Sequence, residues 1–243
     1  QRERFIASTG VRPAADTELF ISTSYSRRRL LDPPDAANTL GAVFEPGSVP
    51  GAYSSVQTVY SELALRLDTR ASRAGPAPGF LLEGYAGRGD GVSESRHNFV
   101  RAGGRVAGFF QLLQPGNVLS PKLVLDGLQV TEGPVPFVEL PRQPDFRGFD
   151  DRRDFVSAVA SLDYRWAIAR YLAARAFGDV ATVAPSLSEL RLEGLRYAGG
   201  FGFDVYSKNA PLGSIAISGS PDGARFFLYF GVASSFGDRQ HRS

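Results

Sequence analysis

With 243 residues the chain can form one large all-β domain or two small ones, and its 43% apolar content sits just under the soluble norm. It contains no cysteine, which excludes disulfide scaffolds and cysteine metal sites. The net charge is +2, and nearly all the positive charge is arginine spread singly among carboxylates, which excludes a nucleic-acid footprint.

In chain order, alternating apolar and polar runs recur between clusters of Gly, Pro, Asp and Ser. They predict eleven strands: Arg4–Pro13, Glu18–Arg28, Val56–Ala71, Gly79–Gly89, Asn98–Leu113, Leu119–Val130, Asp154–Trp166, Tyr171–Thr182, Leu192–Ser207, Leu212–Ser220 and Arg225–Phe236. No segment of helical length keeps a 3.6-residue period with caps. The longest apolar runs, such as Phe226 to Phe230, fall far short of the about 20 residues of a spanning helix. A tilted membrane strand needs only about 9–11 residues, with every second one facing lipid, and these runs suit that length. Ala210-Pro211-Leu212 and Pro221-Asp222-Gly223 read as short turns, whereas Leu31–Ser54 and Thr131–Arg153 read as long loops. Short turns and long loops segregated to opposite ends mark outer-membrane barrels.

Parity sorts the faces. In the seventh strand Val156, Ala158, Ala160, Leu162, Tyr164 and Trp166 oppose Phe155, Ser157, Val159, Ser161, Asp163 and Arg165, with both charges on the second face. In the eighth, Arg175, Phe177 and Asp179 share a face. In the third, Glu62, Arg66, Asp68 and Arg70 oppose Leu63, Leu65 and Leu67. Phe226, Leu228, Phe230, Val232 and Phe236 share a face of the last. A soluble sandwich would carry a Lys- and Glu-rich outer face. Here the polar face mixes Gly, Ser, Arg and acids, and Tyr164, Trp166 and Phe236 sit at strand ends like an interfacial girdle. The pattern favours an antiparallel transmembrane β-barrel.

The long loop before the seventh strand contains Asp145-Phe146-Arg147-Gly148-Phe149-Asp150. Gly148 permits a tight turn beside a large ring, and Arg147 offers a rigid fork of donors suited to two carboxylates. Asp163 and Asp179 stand on adjacent strands with the same facing. An inward-folded loop would pin Arg147 between them. A surface loop with an arginine that merely lies near acids is the other reading.

Several motifs, in order, resemble the BamA/TamA outer-membrane protein assembly superfamily. Phe146-Arg147-Gly148-Phe149 resembles its (V/L)RG(F/Y) loop tip. Ala158 to Tyr164 resembles the strand whose acid that arginine contacts, and Phe177-Gly178-Asp179-Val180-Ala181 resembles the next strand's FxDxG, with Ala181 where Gly is usual. Leu67-Asp68-Thr69-Arg70 with Pro78-Gly79 resembles its D-x-R…P-x-G hairpin. Tyr206 to Ile215 resembles the S-P-(L/I)-G turn, and Phe226–Phe236 the terminal strand that carries the assembly signal. The resemblance covers residues 56–236; the first fifty fit only as generic strands.

The resemblance implies a barrel over residues 1–236, with the first and last strands weakly paired, so that a client strand can add to the exposed edge by β-augmentation. It implies a latch of Arg147, Gly148, Phe149, Asp163, Phe177 and Asp179 that stabilises the lumen without bond chemistry, and a terminal-strand signal of Phe226, Leu228, Phe230 and Phe236. The implied location is the bacterial outer membrane. The implied partners are outer-membrane lipid, lipopolysaccharide, unfolded outer-membrane protein clients and periplasmic modules or accessory subunits. The family barrel has about sixteen strands, and the family chain ends on its terminal aromatic. Here residues 237–243 form a polar extension, and the strands missing from the count are the first ones, so an N-terminally incomplete chain is expected. The lack of any methionine or signal-peptide pattern suggests processing or excision. A passive pore or scaffold, and a membrane anchor for a fused enzymatic domain, stay open as alternatives.

No catalytic, cofactor or metal site is expected. His97 and His241 lack metal spacing, and no G-x-S-x-G occurs. Gly87-Arg88-Gly89-Asp90-Gly91 precedes no helix and reads as a loop flank. Arg27-Arg28-Arg29 reads as a solvated strand end, with lipid phosphates as the other reading. Asp150-Asp151 reads as solvated, with a loop cation as the other.

Overall fold

A computed structural model describes residues 2–29, 45, 49–52, 55–72, 76–92, 97–143, 145–150, 152–208 and 211–230. They form one antiparallel sheet of eleven strands, each paired with its neighbours in sequence. The strands are β1 (Arg2–Ala14), β2 (Thr17–Arg29), β3 (Ser55–Asp68), β4 (Gly79–Gly91), β5 (Asn98–Gln111) and β6 (Val118–Glu132), followed by β7 (Val156–Ala169), β8 (Leu172–Ala184), β9 (Arg196–Tyr206), β10 (Pro211–Ser220) and β11 (Gly223–Phe230). Two single 3-10 turns, Phe137–Glu139 and Leu187–Glu189, complete the regular structure. Among the described residues no helix is long and apolar enough to cross a membrane.

The alternation of the sequence produces these strands, because a period of two puts all polar residues on one face. The chemistry of the two faces is inverted relative to a water-soluble sheet. Glu18, Glu62, Asp68, Glu83 and Asp179 are buried, while Phe5, Phe80, Leu63, Leu65, Phe201 and Phe226 are exposed. The exposed apolar face is bare. The polar face is covered by the segment 133–155, which leaves β6 and returns along the sheet before entering β7.

That cover requires curvature. The Val138 carbonyl accepts a hydrogen bond from Arg28 on β2, and the Gly148 carbonyl accepts one from Arg225 on β11. Ten residues reach at most about 36 Å fully extended, and turns at Phe137–Glu139 and Gln143–Phe146 shorten this stretch. In a flat sheet, nine strand spacings would measure about 43 Å. Arginine arms make up part of the difference and curling of the sheet makes up the rest. Among the described residues no ladder joins β1 to β11, so both are edges.

The strand ends follow turn chemistry. β1–β2 and β7–β8 are joined by the tight turns 15–16 and 170–171. The ends of β2, β6 and β8, from which the chain leaves for β3, β7 and β9, all lie at the opposite end. Two connections depart from this split: 69–78 is extended at the short end, and the tight turn Pro221-Asp222 lies at the long end. The ninth strand begins at Arg196 rather than Leu192, because the 3-10 turn and Gly194, at φ 74°, occupy the preceding residues. The third ends at Asp68, three residues before the expected Ala71. Gly87 to Gly91 belong to β4 and are no loop flank: the rings of Tyr60 and Phe99 lie over Gly87 and Gly89, where a Cβ would collide.

Candidate functional site

The covering segment is fastened to the polar face at three places. The first is Arg147, which reaches β7 and β8. Asp163 lies opposite Phe177 and Asp179 opposite Ser161, so the two acids are diagonal neighbours on one face. Arg147 lies between them. Nη1 donates to Asp163 Oδ1 at 2.6 Å and Nη2 to Asp163 Oδ2 at 3.0 Å. Nε donates to Asp179 Oδ2 at 2.7 Å and Nη2 to Asp179 Oδ1 at 2.5 Å, while the Arg147 backbone N–H also donates to Asp179 Oδ2 at 3.1 Å. Phe177, between the acids, places its ring 3.8 Å from the guanidinium carbon. One planar cation thus meets two carboxylates and an aromatic face at once, an arrangement that a lysine cannot copy.

Burial works against the Arg147 cation, yet its hydrogen bonds to Asp179 and Asp163 outweigh it and hold its pKa above the ordinary guanidinium value. The neighbouring residues fix the backbone. Ser218 Oγ on β10 donates to the Arg147 carbonyl at 2.5 Å, and Arg225 on β11 to that of Gly148 at 2.6 Å. Phe146 is buried with Val159, Ala181 and Ala198. A Cβ on Gly148 would stand 2.6 Å from Phe146 Cε1 and 2.9 Å from the Ala198 Cβ, so glycine is needed for close approach. Phe149 is exposed and lies under the Arg225 guanidinium, 5.2 Å from the ring centre.

The second fastening is Asp145, which accepts from Arg105 on β5 at 3.0 Å and Lys122 on β6 at 3.3 Å. The third is Glu139, which accepts from Thr58 on β3 at 3.1 Å and pairs with Arg28 at 3.7 Å. Thr58 gives its one proton to Glu139, so it accepts from Nε2 of the fully buried His97 at 3.0 Å. Arg28 is therefore engaged with the loop rather than solvated. Asp150 accepts from Arg152, whose guanidinium also donates to the Gly194 carbonyl at 2.9 Å. The hydrogen bond to Asp150, against a smaller effect of burial, raises the Arg152 pKa.

The structure thus brings together Arg147, Gly148, Asp163, Phe177 and Asp179. Phe226, Leu228 and Phe230 are exposed on the bare face of β11; Phe236, like Asp151 and His241, lies outside the described residues. In the 69–78 hairpin, Asp68 accepts from Arg70 Nε at 2.9 Å and Nη2 at 2.8 Å, and Gly79 packs on the Arg70 backbone. Sequence reasoning missed Glu139, Asp145, Lys122, Ser218 and Arg225. Lys122, Ser218 and Arg225 carry only a polar side chain at loop-facing parity, which is common to the whole sheet, and Glu139 and Asp145 lie in the loop, where no period sorts them. Among the described residues no group of His, Asp and Glu could hold a metal ion. No protein-family model matches the chain, and no curated protein matches it either.

Proposed function

We propose that this sheet is the wall of a transmembrane β-barrel of the bacterial outer membrane, of the BamA/TamA-like type that assists insertion or secretion of outer-membrane proteins. The carrying observation is the inverted burial: carboxylates and serines lie under the loop, while a band of Leu, Ile, Val and Phe is uncovered. Lipid is the solvent that such a band fits. The stacked Tyr164–Trp166 pair, 5.5 Å apart near the short-turn end of β7, fits an interfacial girdle.

Two features favour assembly over passive conduction. The loop occupies the polar face from β2 to β11, where a steady solute channel would run. Among the described residues the sheet also has two edges, and an edge in lipid leaves unsatisfied backbone groups costing several kcal/mol each. A missing set of strands, a partner or a client strand must cover them. The Arg147 latch holds the loop while that edge exchanges partners.

The test is expression, membrane fractionation and reconstitution. The chain should resist extraction by urea and shift on unheated gels. In liposomes it should accelerate insertion of an unfolded outer-membrane barrel client. Full extraction by urea would sink the membrane reading; membrane residence with no effect on the client would sink the assembly reading.

A further inference from the structure

Between the loop and the wall of β1 to β7 lies a cavity of about 270 Å³. It is separate from the Arg147 latch, and its chemistry is unbalanced. Six arginines line it against four carboxylates, Glu83, Asp126, Glu139 and Asp145. Each acid already stands beside a cation. Asp126 is chelated by Arg101, Glu139 pairs with Arg28, and Asp145 pairs with Arg105 and Lys122. Glu83 sits in register between Arg66 and Arg105.

Among the buried donor atoms of the lining, Arg28 Nε, Arg105 Nε and Gln143 Nε2 have no acceptor. Gln143 is the sharpest case. Its residue is 6% exposed, it lines the cavity, and neither its Nε2 nor its Oε1 has a partner. Buried amides are almost always satisfied, and leaving one unsatisfied is costly. Burial and the nearby Arg28 and Arg101 also hold the Arg142 pKa below its ordinary value, as expected where positive charge is in excess.

We propose that this cavity binds a small organic oxyanion, a phosphate monoester or similar, with its oxygens on Arg28, Arg105 and Gln143. Arginine forks suit phosphate oxygens. Phe99, Tyr60 and Leu140 supply an apolar side for a short carbon skeleton. The volume lies just under the usual range for ligand pockets, so the skeleton is a few carbons long. The lining residues stand on the loop and on the polar face, away from the bare apolar band, so the ligand comes from solution rather than as a lipid headgroup. This inference does not depend on the membrane reading.

The experiment is calorimetric titration of the folded full chain with inorganic phosphate and with glycerol phosphate, in whichever medium keeps it folded, and with vesicles bearing phosphate headgroups as a second arm. Gln143→Leu removes the amide without breaking any side-chain hydrogen bond, so it should leave the melting temperature equal or higher. It should weaken phosphate binding about tenfold. Saturable binding of the free anions, weakened by Gln143→Leu, supports the proposal. Absence of binding to the wild-type chain, equal binding by the variant, or binding to vesicles alone overturns it.

Discussion

At the residue scale, Arg147 and Arg152 have similar local environments in sequence and different ones in space. Arg152 is held mainly by Asp150 two residues away, whereas Arg147 joins acids on two strands. Arg147→Ala strands two buried carboxylates, a loss on the order of 3–5 kcal/mol. It should weaken the folded band in a gel-shift assay far more than Arg152→Ala does, without removing it; equal behaviour would exclude the latch. Arg147→Lys should recover only part, because one ammonium cannot span both acids. The sign of the pH effect follows from the raised Arg147 pKa: a cation's contribution persists until pH passes its folded pKa. The difference between wild type and Arg147→Ala should therefore be the same at about pH 7 and about pH 9. Gly148→Ala forces a Cβ against Phe146 and should cost about 1–3 kcal/mol in denaturant unfolding. Gly178→Ala, where a Cβ meets nothing within 4 Å, is the neutral control.

At the element scale, the strands were legible because a period of two survives in any single strand. Only their ends moved, as at β9, where Leu192 belongs to a turn. The Arg147 site was legible in part because its acids lie on the two strands that follow the loop. Glu139 and Arg28 were not, since they meet through folding across more than a hundred positions and neither carries a local signature. The same strands supply a test of the solvent on each face. Leu65→Arg on the bare face of β3 should cost about 2–4 kcal/mol if that face meets lipid near the midplane. In water it would change little. Stability measured in detergent or lipid against denaturant decides between them.

At the scale of the whole molecule, the proposed assembly role makes the loop and the edges parts of one device. With the loop in place, planar-bilayer recordings should show small currents. Arg147→Ala should bring large, irregular openings as the loop leaves the polar face. Wide steady channels in the wild type would favour a passive pore instead. The meander sets a further condition. Every strand pairs with its neighbours in sequence, so the sheet can grow one strand at a time from local contacts. The carbonyls of Arg147 and Gly148, by contrast, find their donors on β10 and β11, which follow the loop by some seventy residues. The loop tip therefore seats fully only once the β10–β11 hairpin has paired, and a chain stalled at β9 would leave both carbonyls without their donors.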